Sequence, residues 1–255
     1  MADRTFASLA NRVSPSVPGC PTPTIIQYVR DAAVRACERS LAWRYQVPTF
    51  NLSPGVYEYY YNTPTGTDVH VVFGALLNDR PMERLTLEQA MQAYPQWADI
   101  YSGLSAVELW SLVDPNAFNS DEYNETPFAG NPNTAVPDEA VADGGEPTVF
   151  CQVTPDKYIV LPLPDKAKEY EMRMIVALKP KRTASGMDEV IFSELEDVIL
   201  HGALQHLLVL PNTNWSDREL ASYHARQYLF HVNERRARAN LGNMRGTLRA
   251  QMQPF

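Results

Sequence analysis

The side chains best able to do chemistry here are three cysteines, five histidines and a run of acids, and their spacing decides against most of it. Cys20, Cys37 and Cys151 have no pairwise metal spacing and leave an odd thiol, so neither a zinc site nor a disulfide framework is indicated. Cys37 falls on an apolar helical stripe and reads as a small core hydrophobe rather than a nucleophile. His201 and His206 are five apart, which turns them about 140° around a helix, away from a shared ion; they read as packing or surface residues. From Glu108 to Glu146 there are nine acids and no Lys or Arg, scattered among prolines as on a solvated loop rather than paired as in a glycosidase. No Walker loop, Gly-x-Gly-x-x-Gly, Gly-x-Ser-x-Gly or His-Glu-x-x-His occurs. Tyr57, Tyr59, Tyr60 and Tyr61 could stack a sugar, but sheet tyrosines more often pack or meet another subunit, so Tyr57, Tyr59 and Tyr61 are candidates for subunit or tail contact. The expectation is a chain with no catalytic residue, no metal and no cofactor.

The elements that must position these residues sit in a chain of 255 residues, 45% hydrophobic and 20% charged, enough for one large domain or two small ones. No segment approaches the roughly 18 to 20 apolar residues of a membrane span. Asp3, Arg4 and Arg12 stand where a signal peptide would place its apolar core, so a soluble chain retained where it is made is expected. A net charge of -8 argues against broad nucleic-acid coating. The charge is bipolar: opposite the acidic stretch, Arg235 to Phe255 holds five arginines and no acid. All five lysines fall between Lys157 and Lys181, leaving the outer thirds with arginine alone, the side chain suited to bidentate interface contacts.

Thr22-Pro23 reads as a helix start, and Ile25, Val29, Ala32 and Ala36 carry an apolar stripe toward Tyr45, before Pro48. The proline-rich lead from Val13 to Pro23 predicts no regular structure. The period then falls to two: Tyr57, Tyr59 and Tyr61 alternate, a turn follows at 62–66, and Val69, Val71 and Phe73 alternate, which predicts a β-hairpin. Thr86 and Gln89 form a capping box for a short helix to Tyr94. Ser105 to Glu108 repeats that signal weakly, and a long acidic loop follows from Asp114 to Pro147. Strands are predicted at 148–153 and 158–163, joined by the four-residue turn Thr154-Pro-Asp-Lys157, and at about 170–178. A helix follows with Phe192, Leu195, Val198 and Ile199 inward. A last helix, capped by Ser216 with Glu219, presents Leu220, Tyr223, Leu229 and Phe230 and runs toward Asn240, with Gly242 as its stop.

Helices at both ends must find one another in space, because none buries its apolar face alone. The fold class is therefore α+β: a helical bundle of N- and C-terminal helices, residues 1–47 and 187–240, with an inserted antiparallel β-sandwich or barrel-like domain over 48–186. An acidic loop at about 98–146 and a closing tail over 241–255 complete it.

Several stretches carry a resemblance. Val-Pro-Gly-Cys-Pro leading into Tyr28 to Arg39, then Trp43 and Pro54-Gly-Val-Tyr57, resembles the opening of bacteriophage head-to-tail adaptors of the tail tubular protein A class. Gly202 to Pro211, Trp215-Ser-Asp and the Arg-rich helix resemble their end, and Tyr158 to Pro164 and Leu178-Lys-Pro180 fit the intervening sheet. The chain departs from that pattern at about Ala98 to Glu146.

The resemblance implies a non-enzymatic virion protein of the neck, assembled in the host cytoplasm. It implies a homo-oligomeric ring of twelve copies beneath the portal protein, joined below to a tail or nozzle protein. DNA passes through its channel without sequence-specific binding, and no membrane is involved. Arg235, Arg236, Arg238, Arg245, Arg249 and Phe255 are then the candidates for portal docking. Unopposed arginines and two glycines predict that the chain from about Arg235 onward becomes fixed only on assembly. A cellular glycan-binding sheet module and another ring protein of the neck are the alternatives.

Overall fold

The computed structural model describes residues 3–94 and 145–241. Ten strands are present among them: β1 Asp3–Thr5, β2 Arg44–Leu52, β3 Glu58–Tyr60, β4 Thr67–Leu77, β5 Arg80–Pro81, β6 Glu83–Arg84, β7 Val149–Gln152, β8 Lys157–Leu161, β9 Tyr170–Pro180 and β10 Gly186–Asp188. Five α-helices accompany them: α1 Phe6–Val13, α2 Thr22–Ser40, α3 Leu87–Ala93, α4 Glu189–Leu207 and α5 Arg218–Leu241. The fold is α+β, as the sequence predicts. Its described residues fall into two compact units, 3–45, 64–71 and 177–241 in one and 46–63, 72–94 and 145–176 in the other.

The first unit is helical. α2, α4 and α5 pack mutually and α1 lies on α2 and α4, so the terminal helices do meet. Phe6, Leu9, Ile25, Val29, Ala33, Phe192, Leu195, Val198 and Ile199 are all buried there. Pro23 occupies the first turn of α2, where its missing N–H costs nothing. α2 stops at Ser40 rather than near Tyr45: Leu41 turns into the left-handed region at φ 53° and its N–H reaches back to Cys37. The strand that follows, β2, includes Pro48, a residue read as a boundary; β2 is an edge strand, where proline is tolerated. α4 is capped by Asp188, whose carboxylate accepts from Val190 N at 3.0 Å and Ile191 N at 3.3 Å. α5 is capped by Asp217, one residue beyond the expected Ser216, through Glu219 N at 3.0 Å and Leu220 N at 2.9 Å. The Ser216 hydroxyl donates instead to Leu208 O.

β1 and β10 form a small antiparallel pair, Arg4 opposite Met187. A Cβ on Gly186 would stand 2.4 Å from Arg4 O, so only glycine admits this approach. Arg4 and Arg12 converge on Glu196 of α4, the Arg4 pair at 3.1 Å, tying the first strand and helix to the bundle.

The sheets run β2-β9-β4-β5 and β3-β8-β7-β6. The hairpin expected between the tyrosine strand and the Val69 strand does not form: β3 pairs with β8, and β4 belongs to the other sheet. β7 and β8 form the expected antiparallel hairpin, whereas β6 beside β7 is parallel. In the second unit β4 and β5 turn through Asn78 and Asp79, both left-handed at φ 47° and 62°, as a two-residue hairpin requires. α3 has the expected capping box. It lies over β7, where Ala90, Val149, Cys151, Ile159, Leu161 and Tyr57 form a buried core. The Ser105–Glu108 signal and nearly all of the acidic loop lie outside the described residues.

Candidate functional site: assembly and docking surfaces

α5 positions the arginines that lie within the described residues. It is helical through Leu241, in keeping with the helix expected to run toward Asn240, so Arg235, Arg236 and Arg238 stand on its closing turns. Their neighbours Ala237, Ala239 and Leu241 favour helix, which outweighs mutual repulsion of the cations. Glu234 offsets one of them, pairing with Arg238 one turn on at 2.6 Å. Arg236 is exposed and makes no ion pair among the described residues, and Arg235 is half-buried with its Nε lacking an acceptor there. Arg245, Arg249 and Phe255 lie outside the described residues.

The tyrosines are placed differently from the expectation of a contact surface. Tyr57 and Tyr61, which flank β3, are buried, 3% and 8% exposed: Tyr57 joins the core with Ala90 and Ile159, and Tyr61 packs on Tyr158. Tyr59 is half-buried, and its hydroxyl donates to Ser53 O and Val56 O and accepts from Ser53 N at 3.1 Å, holding the loop before β3. Burial pushes its phenol well above the ordinary range, against the pull of the Ser53 backbone contact. Tyr59 and Tyr61 flank Tyr158, with ring centroids 5.7 and 4.8 Å away. Tyr60 is the exposed member, under the Lys157 ammonium at 5.0 Å from its centroid.

The outer face of α5 is more apolar than a solvated face should be. Leu220, Tyr223, Leu229 and Phe230, read as its inward stripe, are exposed; Ala221, His224, Tyr228 and Val232 are the buried ones. Periodicity locates an apolar stripe but does not say which of two stripes packs.

Between α4 and α5 the structure assembles a histidine cluster, joining His201 of α4 to His224 and His231, which lie two turns apart on one face of α5. His201 Nδ1 lies 2.8 Å from His224 Nδ1, and the His201 ring stacks on that of His231 at 5.6 Å and 1°. Parallel rings do not aim their nitrogens at one point, and among the described residues no group of three or more His, Cys, Asp or Glu has metal-binding geometry. Desolvation lowers the pKa of His201, as do its two histidine neighbours, against the pull of Asp197. Desolvation likewise lowers that of His224. His206 is exposed and meets Arg35 of α2. Cys37 and Cys151 are buried, and Cys20 is half-buried, with burial raising each thiol. Thiols so raised are poor nucleophiles.

No described protein family and no curated protein matches the chain. What the arrangement offers chemically is surface: cations in excess at the end of one long helix and aromatic side chains along its outside.

Proposed function

We propose that the chain is a structural subunit of a bacteriophage neck, a head-to-tail adaptor that forms a homo-oligomeric ring beneath the portal protein, joins it to the tail and passes DNA, without catalysing a reaction. The observation that carries this reading is the basic end of α5. Arg235, Arg236 and Arg238 lead into a closing segment with two further arginines and no acid, and Glu234 offsets only one of them. Guanidiniums in excess along the last turns of α5 fit an acidic partner surface, and bidentate pairing with carboxylates supplies the orientation that ring stacking needs. Carboxylate crevices of a portal suit this better than DNA phosphate, since tight phosphate binding inside a conduit would oppose genome passage. The burial of Tyr57 and Tyr61 leaves the glycan-platform alternative with Tyr60 and part of Tyr59.

The test is negative-stain imaging of the purified chain mixed with the portal protein of the same phage. Rings stacked on the portal are expected. A chain that leaves portal particles undecorated, or one that is retained on an oligosaccharide column instead, overturns the reading.

A further inference from the structure

The outside of α5 carries what a folded subunit ordinarily hides. Phe230 is 64% exposed and Tyr223 47%. They are two turns apart on the line Glu219, Tyr223, Arg226, Phe230, Asn233, with Leu220 and Leu229 on its two flanks. Arg218, Arg226 and Arg236 are exposed around them, and none makes an ion pair among the described residues. The surface is therefore an aromatic pair bordered by free guanidiniums.

The complement of that surface lies on the same chain. Over the first half of α4, Glu189, Val190, Ser193, Glu194 and Asp197 fall within a sector of about 140°, opposite the buried Phe192, Leu195 and Ile199. Val190 is 73% exposed, and Glu189, Glu194 and Asp197 make no ion pair among the described residues. The α4 carboxylate that is neutralised, Glu196, turns instead toward Arg4 and Arg12.

We propose that the outer face of α5 in one copy docks on the outer face of α4 in the next copy, head to tail, with Val190 against the Tyr223–Phe230 pair and the α4 carboxylates against Arg218 and Arg226. This deepens, and rests on, the reading of the chain as a ring subunit. Charge selects the occupant. A twofold contact of α5 with itself would set these arginines against arginines, and the closing segment of the same chain, with Arg245 and Arg249 and no acid, has the wrong sign to cover the face. A contact between two different faces of one chain is heterologous, and it closes into a ring when its rotation does.

The experiment uses the full chain, alone and mixed with portal, followed by sedimentation velocity and negative stain, with circular dichroism showing that each variant keeps its helices. Phe230→Asp is expected to abolish self-assembly. Arg218→Glu with Arg226→Glu, and separately Glu189→Lys with Glu194→Lys, are each expected to abolish it as well, while the chain carrying all four changes regains it. A photo-crosslinking residue at position 230 should join peptides containing residues 189–197 of a differently labelled copy. Assembly that survives Phe230→Asp, four changes that fail to restore it, or crosslinks to another segment overturn the interface. If wild-type rings dock on the portal and ignore these substitutions, this interface falls and the adaptor reading stands. A chain that neither assembles nor docks sinks both.

Discussion

Nδ1 of His201 on α4 and Nδ1 of His224 on α5 stand 2.8 Å apart, so one ring donates and the other accepts, and the contact lasts only while at least one is neutral. Burial lowers both pKa values, and His224 and His231 press His201 down further against Asp197, while Glu234 lies 3.8 Å from His231. A base with a folded pKa below its unfolded value binds fewer protons when folded. Its stabilising effect is complete above about pH 6.5, the unfolded value, and is lost as pH falls below it. Glu196 adds a second loss at lower pH: desolvation raises its carboxyl, Arg12 and Arg4 outweigh that, and the lowered acid gives up its contribution below about pH 4.3. Thermal unfolding from about pH 8 to about pH 5 should therefore show a falling midpoint of several degrees. His224→Gln should flatten that slope. A wild-type midpoint that does not move across this range would sink the account.

Gly202 of α4 lies against Ala32 of α2 and Tyr228 of α5. A Cβ there would lie 3.1 Å from Tyr228 Cε2 and 3.2 Å from Ala32 Cβ. Gly202→Ala gains about 1 kcal/mol of helix propensity but must displace a ring or a helix in a packed core, which costs about 1–3 kcal/mol. Net destabilisation is expected in urea unfolding, and Gly202→Val should be worse. An alanine variant more stable than wild type would mean that the crossing has room the geometry denies.

The tyrosine cluster separates bonded from unbonded hydroxyls. Tyr59 OH has three backbone contacts, whereas the buried hydroxyls of Tyr61 and Tyr158 have no partner among the described residues. Removing a satisfied hydroxyl costs about 1 kcal/mol, and removing an unsatisfied buried one costs little or stabilises. Tyr59→Phe should therefore lower stability by about that amount, while Tyr61→Phe and Tyr158→Phe should leave it unchanged or raised, as read by chemical denaturation. Equal losses at all three positions would contradict the distinction.

Local signals with one reading were legible before the structure. Thr86 and Gln89 form their capping box, with Thr86 N donating at 3.0 Å to the Gln89 side chain. The turn between Val149–Gln152 and Lys157–Leu161 closes a hairpin as expected. Pairings that depend on distant chain were not legible: alternation in Tyr57–Tyr61 marks a strand but cannot tell β8 from β4 as its partner. α1 is hard to see in the sequence although Phe6, Leu9, Ala10 and Val13 carry the helical spacing, because it is only eight residues long and its N-cap Thr5 makes no side-chain capping bond. On α5 both stripes are apolar, and only tertiary packing chooses between them. His224 and His231, seven apart, share one face of α5, but bringing His201 to them needs α4 against α5 and has no trace in the sequence.

The last prediction concerns the docking cations, and it separates those that also serve the helix from those that do not. Arg238 pairs with Glu234 on the surface of α5, so Arg238→Ala should cost at most about 0.5 kcal/mol of stability. Arg236 has no ion-pair partner among the described residues, so Arg236→Ala should leave the unfolding midpoint unchanged and weaken portal docking. Adding Arg245→Ala and Arg249→Ala should weaken it further, and ending the chain after Leu241, which also removes Phe255, should abolish it. If carboxylates are the partner, wild-type docking weakens as salt rises, because exposed ion pairs are screened over about 8–10 Å, and the triple alanine variant shows a shallower salt dependence. Docking that survives loss of residues 242–255 would show that Arg245, Arg249 and Phe255 are dispensable and leave the α5 arginines to carry the contact. Docking that is lost yet indifferent to salt in the wild type would leave Phe255, and not the arginines, as the anchor.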